Sequence, residues 1–81
     1  MAAMEIRDLK YLTASADAGT FTRAAKALGL NSSTISRRIG RVEEELGLTL
    51  FERGRFGIRL TTGGQAVMMF VRRALADIDA V

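Results

Sequence analysis

Cysteine and histidine are both absent from this sequence of 81 residues. The chain therefore cannot form a disulfide, a zinc site of the usual Cys/His type, a thiol nucleophile or an imidazole base. Most enzyme classes depend on one of these groups, and the serines and threonines have no histidine to activate them. The sequence predicts a chain that is not an enzyme and that holds no metal, no other cofactor and no small-molecule ligand.

Long hydrophobic runs are absent as well. The longest uninterrupted apolar run, residues 66–71, has six residues, whereas a membrane-spanning helix needs about 20. No secretory signal is present, so we expect a cytoplasmic protein without a membrane partner. The length allows one domain with one small core, and 48% apolar residues predict that it folds.

The charge is modest in size but unusual in kind. The net charge is +3, and ten of the twelve cationic residues are arginines. The planar guanidinium of arginine suits phosphate groups and the major-groove edge of guanine. The placement of the arginines therefore indicates the partner better than the total charge does.

Residues 31–46 carry the most informative pattern. Their apolar residues follow one another at intervals of four, three and four positions, which places them on one stripe of a helix. Asn31 can cap this helix at its start, and Gly47 can end it. The opposite face carries hydroxyls and arginines, so we expect this face to be exposed and to contact a binding partner. The inward residues are Ile35, Ile39, Val42 and Leu46, and the outward residues are Ser33, Thr34, Arg37 and Arg41.

Two helices are predicted before this one. Residues 5–18 form an amphipathic pattern that ends at Gly19, and Thr20 can cap a short helix over residues 21–28. In that short helix Ala24, Ala25 and Leu28 should face inward. Only three residues, beginning with Gly29, separate it from the helix predicted after Asn31, and this short connection predicts a helix-turn-helix. A helical hairpin in an unrelated bundle is the alternative, but it would place apolar residues on the outward face.

Residues 48–61 predict a two-stranded hairpin, or wing, with a turn at residues 54–57. Arg53, Arg55 and Arg59 lie on or near its tip. Such arginines can follow the phosphate backbone or enter a narrow minor groove, and the alternative is a merely solvated hairpin. Phe56 either folds back on the hairpin or lies against a sugar.

Thr61 or Thr62 can cap a last helix, from residue 63 to about Val81. Its apolar residues cover more than the third of the surface that a helix usually buries. We expect the excess to be covered by the same helix of a second copy in a two-fold dimer. Because the chain stops within this pattern, we also expect it to be part of a longer protein. The predicted dimer contacts are Val67, Phe70, Val71, Ala74, Leu75 and Ile78.

Residues 9–64 resemble the N-terminal DNA-binding domain of LysR-type transcriptional regulators. The resemblance rests on several spaced motifs, which are Gly19-Thr20-Phe21-Thr22, Ala24-Ala25, Ile35-Ser36-Arg37, Leu46-Gly47, Leu50-Phe51 and Leu60-Thr61. It implies a mainly α fold, a winged helix-turn-helix with a three-helix core and a two-stranded β wing, followed by a long dimerisation or linker helix. It also implies an effector-binding domain that this chain lacks. Where the family usually has Ser-Gln followed by Pro or Ser and then Ala, this chain has Asn31-Ser32-Ser33-Thr34.

The predicted function is sequence-specific binding of double-stranded DNA by a dimeric bacterial transcription regulator. Residues 1–61 form the DNA-binding domain and residues 62–81 the dimerisation helix. Helix 32–46 enters the major groove, and wing 50–60 lies on the backbone or in the minor groove. The operator would be pseudo-palindromic, and higher oligomers are left open for a longer protein. The alternative is a protein–protein dimerisation module that does not bind DNA. The predicted base-reading residues are Ser32, Ser33, Thr34 and Arg37, and the predicted phosphate or minor-groove contacts are Thr20, Thr22, Arg23, Ser36, Arg38, Arg53 and Arg55.

Overall fold

The computed structural model describes residues 4–80, and within them it contains four helices and one two-stranded antiparallel sheet. This mainly α architecture confirms the predicted winged helix-turn-helix with a long last helix. The elements, in chain order, are α1 (Ile6–Ala18), α2 (Phe21–Leu28), α3 (Ser32–Leu46), β1 (Phe51–Gly54), β2 (Gly57–Leu60) and α4 (Thr62–Asp79). The predicted end of the last helix at Val81 lies outside the described residues.

Side-chain caps fix where three of the helices begin. Thr20 accepts a hydrogen bond from the backbone N–H of Arg23 at the start of α2, with an Oγ1–N distance of 3.0 Å. Asn31 does the same at α3 and Thr61 at α4. Gly29, with φ of +70°, makes the sharp corner between α2 and α3 that a residue with a Cβ would resist. The caps predicted from sequence at Thr20 and Asn31 are confirmed, and Thr61 rather than Thr62 caps α4.

All four helices and the first strand contribute to one core. Ile35 and Ile39 are fully buried, as the helical stripe predicted, whereas Leu28 and Leu46 are more exposed than expected. Both of these leucines are the last residues of their helices, and Leu46 lines an open apolar groove together with Leu9 and Phe70. The buried apolar residues are Leu12, Ala24, Ala25, Ile35, Ile39, Val42, Leu50, Phe51, Met68 and Val71.

Helix α4 is part of this core and not an appendage to it. Val71 is only 3% exposed, because it packs inside its own chain. The prediction that Val71 is a dimer contact is therefore corrected. Val67 and Leu75 are half-buried against the same core. Phe70, 76% exposed, and Ile78 remain on the outer side of the helix.

The turn end of the wing is anchored to the corner between α1 and α2. Strands β1 and β2 pair from Phe51↔Leu60 to Gly54↔Gly57, which leaves a two-residue turn at the tip. The backbone N–H of Ile58 donates to the Gly19 carbonyl over 2.8 Å. Gly57 has φ of +144°, and a Cβ there would lie 2.5 Å from the Gly19 oxygen. The wing therefore has a fixed position beside the helix-turn-helix.

Candidate nucleic-acid interface

The first half of α3 presents its polar residues away from the core. Ser33 and Arg37 are exposed, and Ser32 and Thr34 are half-buried. Ile35 on the opposite side is fully buried. The four predicted base-reading residues thus share one end of one helix, which is the end that a recognition helix inserts into a groove.

Asn31 organises the hydroxyls at this end of α3. Its side-chain oxygen accepts the backbone N–H of Thr34, with an N–Oδ1 distance of 3.0 Å. The same oxygen accepts the hydroxyl of Ser33 at 2.7 Å and that of Thr34 at 2.9 Å. One amide oxygen therefore holds the helix start and orients two of the predicted base-reading side chains.

Arg53 on β1 joins the wing to both helices of the helix-turn-helix. Its guanidinium donates to the Ser36 hydroxyl, with an Nη1–Oγ distance of 2.8 Å. The guanidinium carbon lies 4.7 Å from the ring centroid of Phe21 on α2, within range of a cation–π interaction. Arg53 and Ser36, both predicted phosphate or minor-groove contacts, thus contact each other at the surface.

Glu43 connects α3 to the start of the wing. Its Oε2 accepts the backbone N–H of Leu50 at 2.7 Å and that of Phe51 at 3.3 Å. Its Oε1 lies 3.9 Å from Nη2 of Arg53. A carboxylate that binds two backbone amides and faces a guanidinium fixes the direction in which β1 leaves α3.

These elements form one concave surface between α2, α3 and the wing. Of the predicted α2 contacts, Thr22 and Arg23 are exposed, and Thr20 is engaged as the helix cap. At the wing tip Phe56 is 92% exposed, so it does not fold back on the hairpin. The concave surface is lined by Thr20, Phe21, Thr22, Ser32, Ser33, Ser36, Arg53, Gly54, Gly57 and Ile58.

Arg38 does not share this surface and corrects one prediction. Its Nε donates to Asp8 Oδ1 and its Nη2 to Asp8 Oδ2, both over 2.9 Å, and Nη2 also donates to Glu5 over 3.0 Å. The hydrogen bonds to Asp8 raise the pKa of Arg38 above its ordinary value. The charge of Arg38 is thus neutralised by two carboxylates at the start of α1. A phosphate contact by Arg38 is therefore not supported. Asp8 and Arg38 are 30 residues apart, and no local spacing in the sequence relates them.

The arginines differ in how much of their charge is available to a partner. Arg59 lies 3.7 Å from Glu52, and Arg41 lies 4.0 Å from Glu45. Within residues 4–80, Arg23, Arg37 and Arg55 form no ion pair with a carboxylate. One of these three arginines lies on α2, one on α3 and one at the wing tip, so uncompensated positive charge borders the concave surface on each of its sides.

Residues 4–80 contain no group of three or more acidic, histidine or cysteine side chains placed to hold a metal ion. Over the same residues, no helix combines the length and the apolar character needed to cross a membrane.

The chain is similar to a known protein family and to known regulators. A family model described as "Bacterial regulatory helix-turn-helix protein, lysR family" matches residues 6–65. The HTH-type transcriptional regulator BudR of Klebsiella aerogenes is 46% identical over 77 residues, which cover 95% of this chain and 54% of BudR. The probable HTH-type transcriptional regulator LrrA of Synechococcus elongatus is 41% identical over 78 residues, which cover 96% of this chain and 26% of LrrA. The chain thus spans about half of the first relative and a quarter of the second.

Solved structures give the same picture. The crystal structure of a CbnR_DBD-DNA complex matches with a TM-score of 0.91 and 40% identity, covering 95% of this chain and 88% of that one. The crystal structure of CbnR, a LysR family transcriptional regulator, matches with a TM-score of 0.89 and 40% identity, covering 95% of this chain and 27% of that one. The second match places the similarity in about a quarter of a longer chain.

Proposed function

The chain belongs to the lysR family of bacterial regulatory helix-turn-helix proteins, and on that premise we propose that it binds double-stranded DNA sequence-specifically as part of a transcription regulator. The observation that carries the proposal is the exposed polar end of α3 beside a wing that Arg53 and Glu43 hold in place. The likeness to a protein solved with DNA supports it.

In this proposal α3 enters the major groove with its first half. Ser32, Ser33 and Thr34 meet base edges near the helix start, and Arg37 follows one turn later on the same face. Arginine binds the O6 and N7 atoms of guanine through two parallel hydrogen bonds, which is a common specific contact. Arg37 is exposed and forms no ion pair within residues 4–80, so its donors are available for such a contact.

The phosphate contacts flank this reading helix. Thr22 and Arg23 lie in the first turn of α2, where the backbone N–H groups that the Thr20 cap does not bind favour a phosphate oxygen. Arg53 and Arg55 supply positive charge from the wing, and Phe56 at its tip is free to lie against a sugar. Arg53 also has structural contacts in the free chain, so Arg55 is the cleaner probe of the electrostatic contribution.

We further propose a homodimer that binds a pseudo-palindromic operator. Phe70, Ala74 and Ile78 follow one another at intervals of four along α4, so they lie on one face of the helix. Phe70 and Ile78 are exposed there, and an apolar groove lined by Leu9, Leu46 and Phe70 adjoins them. A two-fold copy of the same face would cover these side chains.

The non-enzymatic role and the cytoplasmic location stay predictions. The names of the matched relatives are those of regulators, which agrees with a role without catalysis. Effector binding forms no part of this proposal. A dimerisation module without DNA binding is the rival function, supported by the exposed apolar side chains of α4, and it predicts self-association with no salt-dependent binding to duplexes.

A titration of the 81-residue chain against pools of random duplexes at two salt concentrations separates these functions. We expect affinity to fall steeply with salt, because arginines that bind phosphates release counterions. Arg37→Ala should cost about 1 to 3 kcal/mol and relax the preference at one base pair. Arg55→Ala should weaken all sequences alike, and Arg73→Ala on the exposed part of α4 serves as the matched control. Salt-independent or undetectable binding would favour the dimerisation module instead.

A further inference from the structure

We infer that Asn31 sets the hydrogen-bond polarity of the α3 reading face, so that Ser33 and Thr34 accept hydrogen bonds from the DNA and do not donate them. The inference rests on the proposed function and specifies which class of bases the reading face prefers. The bases selected by these hydroxyls are the amino bases, adenine and cytosine.

The orientation of the Asn31 amide follows from the backbone. The N–H of Thr34 points at this amide over 3.0 Å, and a backbone N–H can donate only to the oxygen and not to the NH2 group. The atom that faces Thr34 is therefore Oδ1, which carries no proton. Any hydroxyl that hydrogen-bonds to the same atom has to be the donor.

Both hydroxyls lie close enough to donate to Oδ1, and because the Thr34 N–H occupies one of its two lone pairs, they share the other. The Ser33 Oγ lies 2.7 Å from Asn31 Oδ1, and the Thr34 Oγ1 lies 2.9 Å from it. A hydroxyl has one proton and two lone pairs. Once the proton is directed at Asn31, the side of the oxygen that faces away from the cap has only lone pairs to offer.

The chemistry of the major groove turns this polarity into a base preference. The donors in that groove are the amino groups at N6 of adenine and N4 of cytosine, whereas guanine and thymine present acceptors at O6, N7 or O4. An unconstrained serine can bond to either kind of base, because its hydroxyl rotates. When their protons point at Asn31, the hydroxyls of Ser33 and Thr34 can accept a hydrogen bond from an amino base. Against a keto base, the lone pairs of the hydroxyl and of the carbonyl oxygen repel each other.

Each Watson–Crick pair contains one amino and one keto base, so the preference fixes which strand carries which base. It does not distinguish an A·T pair from a C·G pair. Arg37 has the opposite polarity, because guanidinium only donates and selects guanine. The reading face therefore presents acceptors at its start and a donor one turn later.

The test is a selection of binding sites from random duplexes with the 81-residue chain, followed by titration of duplexes that differ at one position. At the position that Ser33 contacts, duplexes with adenine or cytosine should be bound about three- to tenfold more tightly than duplexes with guanine or thymine, as expected for one hydrogen bond. Ser33→Ala should bring this ratio close to one while the preference at the position read by Arg37 persists.

Asn31 provides the decisive pair of variants. Asn31→Gly keeps an acceptable helix cap but frees both hydroxyls, so guanine and thymine should gain affinity relative to adenine and cytosine. Asn31→Asp keeps the acceptor, so it should keep the preference while its negative charge lowers affinity for every duplex. Circular dichroism establishes that each variant retains its helices.

The outcomes separate the inference from the proposed function. If the chain binds duplexes and Arg37→Ala changes one base preference, but no position shows an amino-base preference that depends on Ser33, the inference alone is overturned. Loss of the preference in Asn31→Asp as well as in Asn31→Gly would also overturn it. No duplex binding at all would overturn the proposed function and the inference together.

Discussion

The Asp8 carboxylate of α1 and the Arg38 guanidinium of α3 form a two-point ion pair, with N–O distances of 2.9 Å at both points. Asp8 is 3% exposed, and its Oδ2 also accepts the backbone N–H of Glu5 at the start of α1. The pair therefore ties the first turn of the chain's first helix to the middle of the helix that we propose as the DNA reader.

We expect the two sides of this pair to respond differently to mutation. Arg38→Met should lower the free energy of unfolding by about 2 to 3 kcal/mol, because it leaves a buried carboxylate without its cation. Asp8→Asn should cost less, since Arg38 is half-buried and can turn to water. Urea denaturation of both variants measures the difference. An Arg38→Met variant as stable as the parent chain would show that the pair contributes nothing to folding.

The same pair predicts that Arg38 is silent in DNA binding. A guanidinium that is already paired with two carboxylates does not neutralise a DNA phosphate, so it displaces no counterion from the DNA. Arg38→Met should therefore leave the slope of log affinity against log salt unchanged. Arg55→Ala should reduce the magnitude of that slope by about one, as for one lost phosphate contact. The comparison needs a temperature at which both variants are fully folded. A slope reduced equally in both would restore Arg38 to the phosphate contacts.

The neighbouring glycines of α4 should give opposite results. A Cβ on Gly64 would overlap the carbonyl oxygen of Leu50, whereas one on Gly63 would meet only Thr61 and Leu48 atoms at 3.8 and 3.9 Å. Because a backbone oxygen cannot turn aside, Gly64→Ala should destabilise the chain by about 3 kcal/mol. Gly63→Ala should stabilise it by up to about 1 kcal/mol, as alanine favours helices. Thermal unfolding distinguishes them, and equal effects would contradict the close approach of α4 to Leu50.

The local signals in the sequence were enough to predict the elements of the fold. Thr20 and Asn31 cap helices through atoms within three residues, and the turn at residues 54–57 lies between two short strands. Such features depend on contacts between near neighbours in the chain, which spacing and residue type reveal. The helix-turn-helix and the wing could therefore be predicted without any tertiary information.

Contacts between distant elements could not be predicted in the same way. The α4 pattern predicted excess apolar surface correctly, but it did not tell which residues face the chain's own core. Which residues face the core depends on how α4 is rotated about its own axis. The close approach of Gly64 to Leu50 restricts that rotation, and the resulting orientation buries Val71. The pairing of Arg38 with Asp8 likewise depends on how α1 crosses α3, so its charge alone could not distinguish a phosphate contact from an internal ion pair.

Dimer formation through α4 can be tested with two adjacent side chains of equal exposure. Phe70 is 76% exposed and Met69 is 75% exposed, but consecutive helical residues differ in direction by about 100°. Phe70 shares its face with Ala74 and Ile78, whereas Met69 points away from that face. Phe70→Glu should therefore place a charge in the proposed two-fold contact, and Met69→Glu should place the same charge outside it.

We expect Phe70→Glu to weaken dimerisation by at least about tenfold in sedimentation equilibrium, because an unpaired carboxylate is costly to bury in an apolar interface. Met69→Glu should leave the dissociation constant nearly unchanged, and it controls for the added negative charge. Both variants should unfold at similar temperatures when they are monomeric, since neither side chain belongs to the core. If Met69→Glu disrupts the dimer and Phe70→Glu does not, the contact lies on the other side of α4, and the face formed by Phe70, Ala74 and Ile78 has to be abandoned as the interface.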